Sequence, residues 1–329
     1  MSIYSTVLLP VCLALGAAGA WLVVRHAATL GLMDRPNERS SHRQPTPKGG
    51  GIGLLAAWVV ANAWLGLPPL WWLPAAGVAA LSLLGDRWEI SPKLRLAVQF
   101  LLACLALLAV RPVQDGLGLA LLLALAVFVT GTANFYNFMD GINGIAGVTG
   151  LVAFGFLAWF SVQGGGICHH PPPTWLCAGL ALACAGFLPF NLPRARVFMG
   201  DVGSVLLGFV FALLAVALAA NVADFLCLTL LLFPFYADEL TTMWLRLRAG
   251  ENLLQAHRRH LYQVLVNEGG MAHWKVAAGF GILQAVVALL ALGARPWGIG
   301  VVAGLWLVLF VLFMLAGARL RRRTGRLPA

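Results

Sequence analysis

Long apolar runs alternate along this chain with polar stretches of very unequal length. A helix needs about 20 apolar residues to cross the hydrocarbon core of a bilayer, and runs near that length recur from end to end. They predict eleven spans, over 3–24, 50–67, 70–84, 94–110, 117–133, 144–162, 174–190, 204–220, 222–240, 273–293 and 297–316. The run 70–84 is the shortest of them. The fold class expected is therefore all-α: a polytopic integral membrane protein with about 10–11 transmembrane helices. No soluble domain, low-complexity tract or repeat interrupts the pattern, so 1–329 is expected to be one membrane-embedded unit.

The polar intervals fall into two classes. The long ones, 25–49, 85–93, 134–147, 191–204 and 241–272, lie on one face, and short connections lie on the other, 163–173 being the longest of these. All Lys and Arg except Arg111 and Arg295 belong to the long-loop face, counting Lys275 and the basic tail 317–329. The positive-inside bias then places the long loops and the C-terminus in the cytoplasm and the N-terminus outside. Residues 1–24 lack a basic leader and exceed a signal-peptide core, which predicts an uncleaved first helix.

Composition changes this picture little. Hydrophobic residues make up 60% of the 329 and charged residues 10%, with a net charge of +10. That charge follows from the one-sided bias and from a basic tail attracted to anionic lipid, so membrane lipids and not nucleic acid are the expected partner. The six cysteines form no CxxC pair. Cys168 beside His169 and His170 is followed by three prolines and has no visible partner ligands, which argues against a metal site.

Apart from Asp115 and Asp224, every acidic residue also lies on the long-loop face. A transporter should carry polar groups near the membrane midplane on broken helices. Chemistry gathered at one mouth fits an enzyme acting on a cytoplasmic substrate better, with a nucleotide-sugar or lipid transporter as the alternative.

Five loops carry that chemistry. In "NFYNFMDGINGIAG", helical spacing puts Asn134, Asn137 and Gly141 on one stripe with Asp140 beside them, and Asn143 follows. A carboxylate at a helix C-terminus is unfavourable without a cation or donor. The residues suit a divalent metal and a nucleotide, or else simply tie neighbouring helices together. In "NLPRARVFMGDVGS", Asn191 opens a loop with Arg194 and Arg196, and Asp201 starts the next span either as a helix cap or beside N–H groups able to hold phosphate. "GDRWEISPKLR" offers Asp86 and Lys93, and "AHRRHLYQ" packs His257, Arg258, Arg259 and His260, a set better matched to diphosphate than to zinc. "DRPNERSSHRQPTPKGGG" leads through Lys48 into a triple glycine that could let lipid or phosphate approach the backbone.

Together, from Asp34 to Gln263, these loops resemble the polyprenyl-phosphate N-acetylhexosamine-1-phosphate transferases (glycosyltransferase family 4). That family includes phospho-MurNAc-pentapeptide translocase and the initiators of O-antigen and enterobacterial common antigen synthesis. "NFYNFMDGINGIAG" and "VFMGDVGS" are the most specific matches, and "HRRHLYQ" is similar to the bacterial O-antigen-initiating branch. The resemblance implies a bacterial inner-membrane enzyme. It would transfer sugar-1-phosphate from a UDP-N-acetylhexosamine to undecaprenyl phosphate, release UMP, and use Mg²⁺, with Mn²⁺ as a substitute.

By resemblance, Asn137 and Asp201 hold the metal and Asn143 meets uracil. Lys93, Arg258 and His260 lie at the diphosphate and active-site loop, and Asp238 in "PFYADEL" matches a recurrent supporting aspartate. The candidate catalytic residues are then Asp86, Asp140, Asp201 and His260. Lys48, Lys93, Asn134, Asn143, Asn191, His257, Arg258 and Arg259 are candidates for substrate binding. One position departs from the family, whose usual paired aspartates are here Gly85-Asp86. A phosphate monoester has a second pKa near 6 and is largely deprotonated at neutral pH, so direct attack needs no base. The dense aspartate motif of CDP-alcohol phosphatidyltransferases is missing. The sequence leaves the sugar unassigned, and a homodimer stays open.

Overall fold

The computed structural model describes residues 3–36, 44–88, 90–110, 115–163, 173–252 and 257–325. Arg39, Arg43 and the Cys168–His170 cluster lie outside them. Helices dominate: α1 Ile3–Leu30, α2 Ile52–Trp64, α3 Pro69–Arg87, α4 Pro92–Val110, α5 Gly116–Phe138, α6 Ile145–Val162, α7 Pro173–Asn191, α8 Asp201–Leu218, α9 Val222–Leu230, α10 Phe233–Arg248, α11 Leu261–Asn267, α12 His273–Ala294 and α13 Ile299–Arg323. Among the described residues, eight helices are long and apolar enough to cross a membrane. The protein is an all-α polytopic membrane protein.

The axis of the bundle is α8. Its apolar window is 94% buried against 11% for α13, which rides on the periphery. The α5 and α8 helices approach closely because Gly208 has no side chain: a Cβ there would meet Ala133 Cα and Thr132 O at 2.8 Å. This contact brings the C-terminal turn of α5, with Asn137, beside the first turn of α8.

The connection between α1 and α2 contributes a two-residue hairpin, β1 Met33–Asp34 paired antiparallel with β2 Thr46–Pro47. Lys48 then bridges Phe198 in parallel, and the Gly50 and Gly51 amides donate to the Phe198 and Met199 carbonyls. A Cβ on Gly51 would lie 2.4 Å from Gly203 Cα. In the fold, then, the triple glycine lets one stretch of backbone lie on another and holds Lys48 over the start of α8.

The ninth expected span, 222–240, is two helices. The break falls at Leu231–Leu232, and Pro234 opens α10, where a missing N–H does least harm. The second helix turns Asp238, Glu239 and Arg246 inward. The expected loop 134–147 is also shorter, since α5 runs to Phe138 and α6 starts at Ile145. Only Asn134 and Asn137 of the expected stripe are therefore helical; Asp140 and Gly141 sit in the turn beyond.

Candidate active site

Where α5 ends and α8 begins, Asn137 Nδ2 donates to Asp201 Oδ1 and to Ser204 Oγ, each at 2.9 Å. Among the described residues, its own Oδ1 has no hydrogen-bond partner. Arg95 of α4 donates to the other Asp201 oxygen. Asp86, near the end of α3, is buried and 3.5 Å from Lys48 Nζ, and its Oδ2 has no hydrogen-bond partner. Asp140 completes the group, so that Lys48, Asp86, Asn137, Asp140 and Asp201 line one cavity of about 320 Å³.

Two positive side chains do not balance three carboxylates held this close. Burial, followed by the charges of Asp201 and Asp86, holds the Asp140 carboxyl well above the usual carboxylate range. Asp86 is pushed up to about 6, chiefly by burial and by the Asp201 charge, against the pull of Lys48. The site is short of positive charge.

The turn carrying Asp140 is fixed from three sides. Gly144, at φ +85°, donates its amide to Asn191 Oδ1 at 2.5 Å, and Asn191 Nδ2 donates to the Val197 carbonyl at 2.8 Å. The Tyr262 hydroxyl donates to the Phe138 carbonyl at 2.9 Å. The Asn143 amide donates to His273 Nδ1 at 3.2 Å. Asn191 thus lines the cavity with both ends of its amide committed to backbone, as a brace for the turn.

The other sequence candidates lie elsewhere. Asn134 donates to Gln99 Oε1 and the Thr130 carbonyl, tying α5 to α4. Lys93 borders an apolar groove between α4 and α5. His257, Arg258, Arg259 and His260 are not among the residues lining the cavity. His260 is 2% exposed, with Nε2 3.5 Å from Glu239 Oε2, and Arg259 pairs with Glu251. Burial, aided by the Arg321 and Arg246 charges, holds His260 down to about 3, so its ring is neutral at pH 7. Conversely, the cavity includes Asp34, Phe198, Gln263 and His273, and Arg95 sits on Asp201, none of which the sequence singled out as site residues. Arg95, the second residue of the expected span 94–110, was readable only as part of the charge bias.

Do these residues fit Mg²⁺? Among the described residues, no three His, Cys, Asp or Glu side chains form a ready-made metal cage. Mg²⁺ does not require one: it typically takes one or two carboxylates, keeps waters and uses substrate phosphates. The donors here are hard oxygens, an unpartnered buried Asp86 Oδ2 and the side-chain oxygen of Asn137 among them. The set fits.

Against known proteins, the model of "Glycosyl transferase family 4" matches residues 69–219. The decaprenyl-phosphate N-acetylglucosaminephosphotransferase of Mycobacterium tuberculosis is 30% identical over 314 residues, covering 82% of this chain and 76% of the relative. The undecaprenyl-phosphate alpha-N-acetylglucosaminyl 1-phosphate transferase of Salmonella typhimurium is 28% identical over 328 residues, covering 90% and 84%. Its Escherichia coli counterpart is 27% identical over 322 residues, covering 88% and 83%.

Proposed function

The chain belongs to glycosyl transferase family 4, and on that footing we propose that it is a polyprenyl-phosphate sugar-1-phosphate transferase. The donor is a UDP-N-acetylhexosamine and the acceptor undecaprenyl phosphate. The products are polyprenyl-diphospho-N-acetylhexosamine and UMP. The observation that carries the reading is the convergence of Asp86, Asp140 and Asp201, from three separate segments, on one cavity with Lys48.

An oxygen of the lipid phosphate attacks the phosphorus bearing the sugar. The phosphoanhydride to the uridine-bearing phosphorus breaks, and its electron pair leaves with UMP. One anhydride replaces another, so the step is close to thermoneutral. The lipid phosphate is already largely deprotonated at neutral pH, and Gly85 in place of an acid is compatible with attack without a base. The main obstacle is electrostatic, since two anions must meet. Lys48 and Arg95 supply fixed positive charge. Asp201, Asn137 and the neighbouring Asp86 and Asp140 would hold Mg²⁺, which when bound neutralises diphosphate charge and favours UMP as leaving group.

A nearly wholly apolar groove along Phe128, Phe135, Leu226, Tyr236 and Trp306 would suit the lipid tail, and α5, which lines it, also carries Asn137. The charge asymmetry supports a cavity facing the cytoplasm, with the chain in a bacterial inner membrane. The likeness of "HRRHLYQ" to one branch supports a role in starting a lipid-linked surface polysaccharide such as O-antigen.

The test is UMP release by the purified protein in lipid, with undecaprenyl phosphate and a panel of UDP-N-acetylhexosamines, with and without Mg²⁺. Release that needs both lipid phosphate and Mg²⁺ is expected, with one sugar preferred. Uptake of UDP-sugar into vesicles without UMP release would overturn the reading in favour of a transporter.

A further inference from the structure

The cavity lining combines two kinds of chemistry. Lys48, Asp86, Asp140 and Asp201 bring ionisable groups, while Asn143, Gln263 and His273 offer neutral polar groups. His273 comes from 130 residues beyond Asn143 in sequence, and it opens α12, a helix whose other residues include no acid and one cation, Lys275. Among the described residues its ring makes a single hydrogen bond. Because Nδ1 accepts the Asn143 amide, a neutral imidazole must carry its proton on Nε2. Among the described residues that N–H has no hydrogen-bond partner, and the ring lines the cavity.

We propose that His273 is a specificity-determining residue for the nucleotide sugar, its Nε2–H donating to an uncharged carbonyl of the donor substrate. This rests on the transferase reading above. The carbonyl belongs either to the pyrimidine base or to the N-acetyl group, since both are neutral acceptors. A phosphate is the poorer match, because the fixed cations Lys48 and Arg95 stand ready for it. Gln263 adds the complementary acceptor: it is 8% exposed, and its Oε1 has no hydrogen-bond partner. A donor and an acceptor lining one cavity suit an amide-like edge, which both a pyrimidine and an acetamide present.

The competing role for His273 is to pin the Asn143 backbone and do nothing more. Two substitutions separate the roles, because Asn mimics the Nδ1 position and Gln the Nε2 position of the ring. His273→Asn keeps an acceptor for the Asn143 amide and removes the distal donor. His273→Gln restores a distal donor. The measurement is UMP release at saturating lipid phosphate, with thermal unfolding of each variant beside it.

His273→Asn is expected to raise KM for the UDP-sugar about five- to tenfold, the effect of one neutral hydrogen bond, with KM for lipid phosphate unchanged. His273→Gln is expected to recover at least half of that loss. Inhibition by UMP assigns the acceptor: weaker inhibition of His273→Asn means the base, unchanged inhibition the acetamide. Wild-type kinetics in His273→Asn would overturn the proposal, as would a variant whose KM changes only for the lipid. Wild-type protein that releases no UMP would remove the underlying transferase reading instead.

Discussion

Two acidic groups lie at the polar end of this bundle, and their surroundings are opposite. Around the cavity, Asp86, Asp140 and Asp201 face one another with Lys48 and Arg95 as the nearest cations, and Asp86 Oδ2 is unpartnered. At the root of α11, Asp238 is fully buried and its oxygens are filled. It accepts from the Leu261 and Tyr262 amides at 2.7 and 3.2 Å and from Thr242 at 3.2 Å, and it pairs with Arg321 at 3.4 Å. Arg321 in turn donates to the Arg259 carbonyl at 2.6 Å. The first group keeps lone pairs for a ligand and tolerates repulsion to do so. The second commits them to holding α10, α11 and α13 together. Residue type does not separate Asp86 from Asp238; a carboxylate oxygen left without a partner does.

The largest effect expected from breaking this contrast is on the open side. Asp201→Asn should reduce UMP release by about 100-fold or more while thermal unfolding stays level or improves, because a crowded charge has gone. Lost activity with equally lost stability would erase the distinction. On the sealed side the signature reverses. Arg321→Met strands Asp238 in the core and should lower unfolding stability by about 3–5 kcal/mol, with a much smaller loss of UMP release per folded molecule than Asp201→Asn. Chemical denaturation in detergent reads the first quantity and a turnover assay the second.

A smaller change sharpens how the open site is built. Gly51→Ala forces a Cβ into the Gly203 backbone and should destabilise by about 1–3 kcal/mol. It should also weaken UDP-sugar binding, since Lys48 depends on that contact; stability and KM unchanged together would disprove the link.

A last effect concerns protons on the sealed side. His260 is held down to about 3 and His257 to about 4, the latter mainly by burial and then by His260. An unfolded histidine near 6.5 binds a proton that these folded ones refuse. Each therefore contributes stability above pH 6.5 that is lost as pH falls toward 4, by about 1.4 kcal/mol per pH unit. His260→Gln should flatten that slope between pH 6.5 and 4, and an unchanged slope would count against a buried neutral ring.

Much of this was legible in advance. Apolar runs marked the helices, because lipid leaves the backbone no other way to satisfy its hydrogen bonds. Spacing and residue type drew attention to Asn137, Asp140 and Asp201, which the fold does gather. The break in the ninth span had one signal, Pro234, inside a run otherwise apolar enough to be continuous. The loop "HRRHLYQ" was harder. Its direction is set by Asp238 and by Arg321, the latter 62 residues beyond Arg259. No local pattern reports such a partner. His273 and Gln263 were invisible for the same reason: each is an ordinary helix residue until tertiary contacts bring it to a cavity.

The cavity draws on almost the whole length of the chain, from Asp34 and Lys48 through Asp86, Asp140 and Asp201 to His273. During synthesis, the lining carboxylates enter one by one, on segments inserted far apart in time. Until the start of α12 has left the ribosome, His273 is missing from the lining. A copy stopped short of that point carries an unfinished cavity, however well its first helices have packed.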